Sequence, residues 1–135
     1  RFIYGFEEHT PENTVKFFKM LQKVFPFKIQ TIQTDNGTEF TYKYISDTEE
    51  CPFDKALKEA GIEHKLIPPR TPWHNGKVER SHRNDQRYFY DWEHFRSLEE
   101  FNDKLHKHLL WSNRKSMRTL GRKSPVQLLK EKLKA

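Results

Sequence analysis

Two acidic residues stand where a carboxylate can do chemistry. Asp35 lies in Gln33-Thr34-Asp35-Asn36-Gly37-Thr38-Glu39-Phe40, at the end of a stretch that reads as a strand. A carboxylate at the carboxyl end of a strand, before a tight turn, points into the crevice where α/β proteins bind ligands. The plain alternative is an Asp-Asn-Gly turn that serves only its own backbone. Glu79 lies in Trp73-His74-Asn75-Gly76-Lys77-Val78-Glu79-Arg80, one turn into a helix. Its plain alternative is a partner for the helix dipole. Either residue alone reads as structural. Together, separated by a helix and a strand, they form a far more specific constellation than either half.

The elements that must position them follow from local signals. Phe2 to Glu8 reads as a strand. Thr10-Pro11 starts a helix whose Val15, Phe18, Leu21, Val24 and Phe25 recur at helical spacing, and Pro26 stops it. Ile29 to Thr34 is a second strand running into the turn at Asp35. Thr41 to Glu50 is polar and gives no clear signal. Pro52 to Ala60 is a short helix closed by Gly61, and Ile62 to Ile67 a third strand. Residues 68–76 carry three prolines and a glycine and are expected to be irregular. A helix then runs from Gly76 to about Trp92. Ser97 with Glu100 predicts a capping box for a helix reaching Trp111. Residues 112–123 form a basic loop, and Ser124-Pro125 opens a last helix with Val126, Leu129 and Leu133 on one face. The order β-α-β-α-β-α-α-α argues for an α/β layer with a thin sheet.

The helix bearing Glu79 also has binding character. Asn75, Glu79, His82, Arg83 and Gln86 share one face by their spacing. Lys77, Arg80, Arg83 and Arg87 are placed to neutralise phosphates, or else form a solvated basic face. On the loop before it lie Arg70, Trp73 and His74. Trp73 suits stacking on an unpaired base or filling a hydrophobic pocket. Arg114, Lys115, Arg118, Arg122 and Lys123 suit contact with DNA, another subunit or solvent alone. Seven histidines show no zinc pattern, and one cysteine cannot build a zinc finger. Cys51 has no His-containing signature around it and is not expected to be a nucleophile.

Composition bounds the class. With 135 residues the chain fits one domain with a modest core. A net charge of +6 favours a polyanionic partner without proving one. Eleven Phe, five Tyr and three Trp supply apolar area that the 34% hydrophobic content would otherwise leave scarce. The lone Cys51 rules out an internal disulfide. No apolar run approaches the roughly 20 residues that span a bilayer, so no membrane partner is expected. A cytoplasmic, nucleoid-associated bacterial location is the expectation. The chain opens on Arg1 without an initiator Met, as a piece of a longer polypeptide would.

With these residues in view, the sequence resembles the integrase catalytic core and DDE transposase family, in particular the transposases of bacterial insertion sequences. The matching stretches are Thr34 to Phe40, Gly61 to Asn84 and Asn113 to Pro125. The second holds P-x-x-P-x-x-N-G-x-V-E-R, and the third holds Asn113-Arg114 and Leu120-Gly121-x-x-Ser124-Pro125. The resemblance implies a ribonuclease H-like fold and DNA strand nicking and strand transfer by two divalent ions, Mg²⁺ or Mn²⁺. Such ions, about 3.5–4 Å apart, clamp the attacking and leaving oxygens. Hard ions demand oxygen ligands. Asp35 matches the family's second Asp and Glu79 its final Glu, so both are the implied catalytic and metal-binding residues. Arg70, Trp73, His74, Lys77, Arg80, His82, Arg83 and Arg87 are the candidate DNA contacts. Transposon ends and target DNA are the implied partners, with a homo-oligomer.

Two departures qualify the resemblance. No Asp precedes Asp35, where the family's first Asp is expected, so the fold is expected to be N-terminally truncated with its first two strands absent. The 43 residues between Asp35 and Glu79 also exceed the usual spacing, through the polar insertion at Ser46 to Pro52. Residues 1–135 are thus expected to be a partial core, with 112–135 its basic loop and C-terminal helix. Such a piece is expected to lack strand-transfer activity, and its bared sheet edge predicts self-association. The alternatives are a ribonuclease H-like nuclease and a non-catalytic DNA-binding remnant.

Overall fold

A computed structural model describes residues 1–135. The chain forms two compact units, one of Phe6–Asp85 and one of Arg1–Gly5 with Gln86–Ala135.

In the first unit, α1 (Pro11–Val24) starts where expected: Thr10 Oγ1 accepts from the Asn13 amide at 3.2 Å, and proline occupies the first helical position. It ends as Phe25 turns extended, the backbone favoured before a proline. β1 (Thr31–Thr34) leads through the Asp35 turn to α2 (Pro52–Glu59) and β2 (Glu63–Leu66). After α2 the chain reverses at Gly61, whose φ of +68° suits a residue without Cβ. There the Ile62 amide bonds Leu57 O at 2.9 Å and the Gly61 amide bonds Lys58 O, a Schellman closure. That closure delivers Ile62 to the core and starts β2. The strands pair in parallel, Thr31 opposite Glu63 through Thr34 opposite Leu66.

The core of this unit gathers Phe18, Cys51, Phe53, Leu57 and Ile62, with Ile29, Ile32, Phe40 and Tyr42 packed around it. Phe53 is its hub. Its ring meets Phe18, Phe40 and His64 edge-on, with centroids 6.1, 5.5 and 5.3 Å away. Edge-to-face pairs add to the burial that already stabilises such rings.

β2 gives way to a 3₁₀ turn (Pro72–Asn75) and α3 (Gly76–Asp85), continued by a π-type turn at Gln86–Tyr90. In the second unit, α4 (Leu98–Arg114) and α5 (Pro125–Lys134) pack on each other. Phe89 is buried there against the ring of His108, stacked at 4.9 Å, beside Phe95 and Phe101. α5 opens with a complete capping box: Ser124 Oγ accepts from the Gln127 amide, and Gln127 Oε1 from the Ser124 amide. Gly121 precedes it with φ +63°. These two residues give the Leu120-Gly121-x-x-Ser124-Pro125 segment a mechanical meaning, a left-handed turn followed by a capped helix start.

Several expectations are corrected. The sheet has two strands, not three, and Phe2 to Glu8 forms no ladder. Instead, side-chain amides of α4 serve its backbone. Asn102 accepts from the Gly5 amide at 2.7 Å and donates to Gly5 O at 3.1 Å, and Asn113 makes the same two-way pair with Arg1 at 3.0 and 2.9 Å. Each asparagine offers one donor and one acceptor, as a neighbouring strand would. A Cβ on Gly5 would fall 2.5 Å from the Phe101 ring, so this approach needs glycine. Residues 72–75 are helical rather than irregular, since the Pro72 and Asn75 positions close a 3₁₀ turn with the His74 amide on Thr71 O. The helix after Gly76 loses α geometry at Gln86, where the Asp91 amide reaches back to Gln86 O. The Ser97 box is half made: Ser97 Oγ accepts from the Glu100 amide, but the Glu100 carboxylate takes the Arg96 amide. α4 runs to Arg114, three residues past Trp111. The basic segment 112–123 is ordered by a Met117–Lys123 bridge and a 3₁₀ turn at Arg118–Leu120.

Candidate functional site

Asp35 follows the last residue of β1 and is exposed. Its Oδ1 accepts from the Gly37 amide at 2.9 Å. The plain turn reading is therefore realised, and it coexists with a carboxylate presented at the strand end. The turn is tied to the sheet at several points. Asn36 Nδ2 donates to Ile67 O at 2.9 Å, and the Ile67 amide bonds Thr34 O at 3.0 Å. Asn36 Oδ1 is buried without a hydrogen-bond partner. Thr34, itself buried, donates its hydroxyl hydrogen to Asp35 O at 2.9 Å.

Glu79 stands in the first turn of α3 and is exposed. The helix is led in by the chain leaving β2 at the same carboxyl end of the sheet where Asp35 sits. Gln33 Nε2 donates to His74 O at 3.2 Å, joining β1 to the 3₁₀ turn that precedes the helix. No hydrogen bond or ion pair links Asp35 to Glu79, and no group of three or more His, Cys, Asp or Glu stands close enough to hold a metal ion. The donor set is oxygen on both sides, so it fits a hard divalent cation in kind. Two carboxylates are what these residues bring to it.

Lys77, Arg80, His82 and Arg83 are all exposed on α3, and Arg87 is exposed on the turn after it. Arg87 lies over the Tyr88 ring at 5.4 Å. Trp73 is 69% exposed and touches the ring of His74 at 6.1 Å. Arg70 holds a left-handed backbone, φ 62°, uncommon for a residue with a Cβ and a local strain in the lead-in loop. Thr71 Oγ1 closes that loop onto Pro68 O.

Cys51 is fully buried, its thiol donating toward Thr38 O and Glu39 O at 3.7 Å. Burial pushes its pKa up, which keeps the thiol neutral and unreactive. Sequence reasoning missed one constellation: His64 on β2 sits between Thr34 and Asp54. Its members are far apart in sequence and carry no local motif, so only packing reveals them.

With this geometry in hand, comparison with known proteins shows what the chain is similar to. Residues 60–125 match the family model described as integrase core domain. That span includes Glu79 and not Asp35. The chain is 30% identical over 94 residues to a putative integrase ORF3 of Spiroplasma virus SpV1-C74, covering 64% of this chain and 26% of the viral protein. It is 36% identical over 75 residues to the retrovirus-related Pol polyprotein from transposon RE1 of Arabidopsis thaliana, covering 54% of this chain and 4% of the polyprotein. The chain thus spans a small part of each relative. In structure it is similar to the catalytic core domain of BIV integrase, with TM-score 0.65, 22% identity, and coverage of 94% of this chain and 75% of the other. The fold is ribonuclease H-like, similar to that of a retroviral integrase core, and residues 60–125 carry the likeness to the integrase core domain. No helix is long and apolar enough to cross a membrane.

Proposed function

We propose that this chain is the core of a DDE-type polynucleotidyl transferase, a transposase or integrase that nicks DNA and joins its ends. One observation carries the reading: an exposed carboxylate follows β1 at the carboxyl end of the sheet, the end from which the chain leads into exposed, basic α3 with Glu79 in its first turn. Asp35 and Glu79 would hold Mg²⁺ or Mn²⁺, and such cations would activate the attacking oxygen and neutralise the leaving one. Lys77, Arg80, His82, Arg83 and Arg87 would face phosphates, and Arg70, Trp73 and His74 would meet DNA from the lead-in loop. DNA at transposon ends and targets is the substrate, and copies of the protein assemble on it. The location is cytoplasmic, at the nucleoid.

Two carboxylates hold two cations poorly, so residues 1–135 alone bind DNA without joining it, and a further carboxylate must come from elsewhere. This same shortage favours, as second reading, a core that holds DNA without catalysis. The test is Mg²⁺-dependent joining of labelled oligonucleotides by residues 1–135, and by a longer protein containing them. Joining by the longer protein alone, abolished in Asp35→Asn and in Glu79→Gln with DNA binding retained, is the expected result. Joining that survives either substitution contradicts the assignment, and joining by neither protein leaves the second reading.

A further inference from the structure

Behind Asp35 lies a chain of hydrogen bonds that the proposed chemistry has not used. Thr34, His64 and Asp54 come from β1, β2 and α2, and they meet under the turn that presents the carboxylate. Thr34 Oγ1 and His64 Nε2 are 2.7 Å apart, and His64 Nδ1 bonds Asp54 Oδ1. Thr34 Oγ1 also lies 2.9 Å from Asp35 O, so its hydroxyl bridges the His64 ring and the Asp35 backbone. On the other side of the ring, Nδ1 faces the Asp54 carboxylate.

The ring has little freedom to turn. Phe53 packs edge-on against it at 5.3 Å, and its side chain is 9% exposed against 23% for Asp54. Thr34 is 8% exposed, too enclosed to act as a nucleophile despite the resemblance of the three residues to a hydrolytic triad. Their direction of action is instead outward, to the backbone of Asp35. Three secondary-structure elements are thereby tied to the Asp35 carbonyl at the start of the turn that presents the carboxylate. A catalytic group must be held by neighbours whose own rotamers are fixed, or its reach drifts.

We propose that Thr34, His64 and Asp54 form a positioning relay that fixes the Asp35 carboxylate for cation binding, a role that rests on the reading of Asp35 as a metal ligand. None of the three touches the reacting atoms. Their effect reaches the site through the Asp35 peptide and the Asx turn to Gly37.

Amide hydrogen exchange on residues 1–135 tests this, with the Gly37 amide reporting the Asp35 turn and the Ile62 amide, bonded to Leu57 O, reporting the core. Thr34→Val and His64→Ala should each speed Gly37 exchange about five- to tenfold, the scale of one lost hydrogen bond. Thr34→Ser, which keeps the hydroxyl, should restore it, and Ile62 should be unchanged throughout. Asp54→Asn carries the same expectation should His64→Ala fail to fold. Unchanged Gly37 exchange, or Gly37 and Ile62 accelerating together, overturns the relay. Added Mn²⁺ separates the two claims. If it broadens Gly37 in the parent chain and less so in Thr34→Val, the relay serves a cation. If it leaves Gly37 of the parent chain sharp, the metal reading fails, and the link to cation binding fails with it, whatever the exchange shows.

Discussion

The two candidate carboxylates live in unlike surroundings. Asp35 sits on a turn pinned by its own Oδ1 bond to Gly37, by Asn36 to Ile67, and by Thr34 to the His64 ring. Glu79 sits on a helix whose residues are exposed almost throughout, behind a proline-rich loop with a left-handed Arg70. One carboxylate is built into the packed sheet, whereas the other is presented on a surface element joined to that sheet by Gln33 and His74. The difference teaches that the site proposed for them would be half preorganised. The sheet would fix one ligand, and the helix would bring the second together with the cationic side chains that would meet a phosphate backbone.

The comparison breaks most readily at the core. Phe53→Ala removes the ring that packs on Phe18, Phe40 and His64, and large-to-small changes of this kind cost about 3–5 kcal/mol. Urea unfolding should show that loss for Phe53→Ala, while Glu79→Gln stays within about 0.5 kcal/mol of the parent chain, as exposed substitutions do. Equal losses would mean that α3 is as embedded as the core around Phe53.

A smaller effect sharpens the other half. Replacing Arg80 or Arg83 by Ala should weaken DNA binding alike across sequences and lower the slope of log affinity against log salt by about one for each phosphate left unneutralised. Fluorescence anisotropy across a salt series reads this directly. A slope unchanged in both variants would make the basic face of α3 a solvated surface.

How much is legible in the sequence follows the range of the forces involved. Thr10-Pro11, Gly61 and Ser124-Pro125 mark helix ends through neighbours a few residues away, and each acts as its type predicts. Asp35 and Glu79 stand out because a spaced motif carries them. Phe2 to Glu8 reads as a strand, wrongly, because its apolar residues say nothing about its partner. That role falls to Asn102, which bonds Gly5 from 97 residues further on. The His64 relay is hidden for the same reason, since 30 residues separate it from Thr34. The Ser97 box fails over a single choice: Glu100 serves the Arg96 amide, one residue away from the expected one.

The central claim is that Asp35 and Glu79 converge on one divalent cation. Mn²⁺ titration of residues 1–135, followed by paramagnetic broadening of backbone amides, tests it most directly. Broadening centred on both the Asp35–Gly37 turn and the first turn of α3, lost from both regions together in Asp35→Asn or in Glu79→Gln, is the predicted result. Broadening at one region that ignores substitution of the other carboxylate would contradict a shared site.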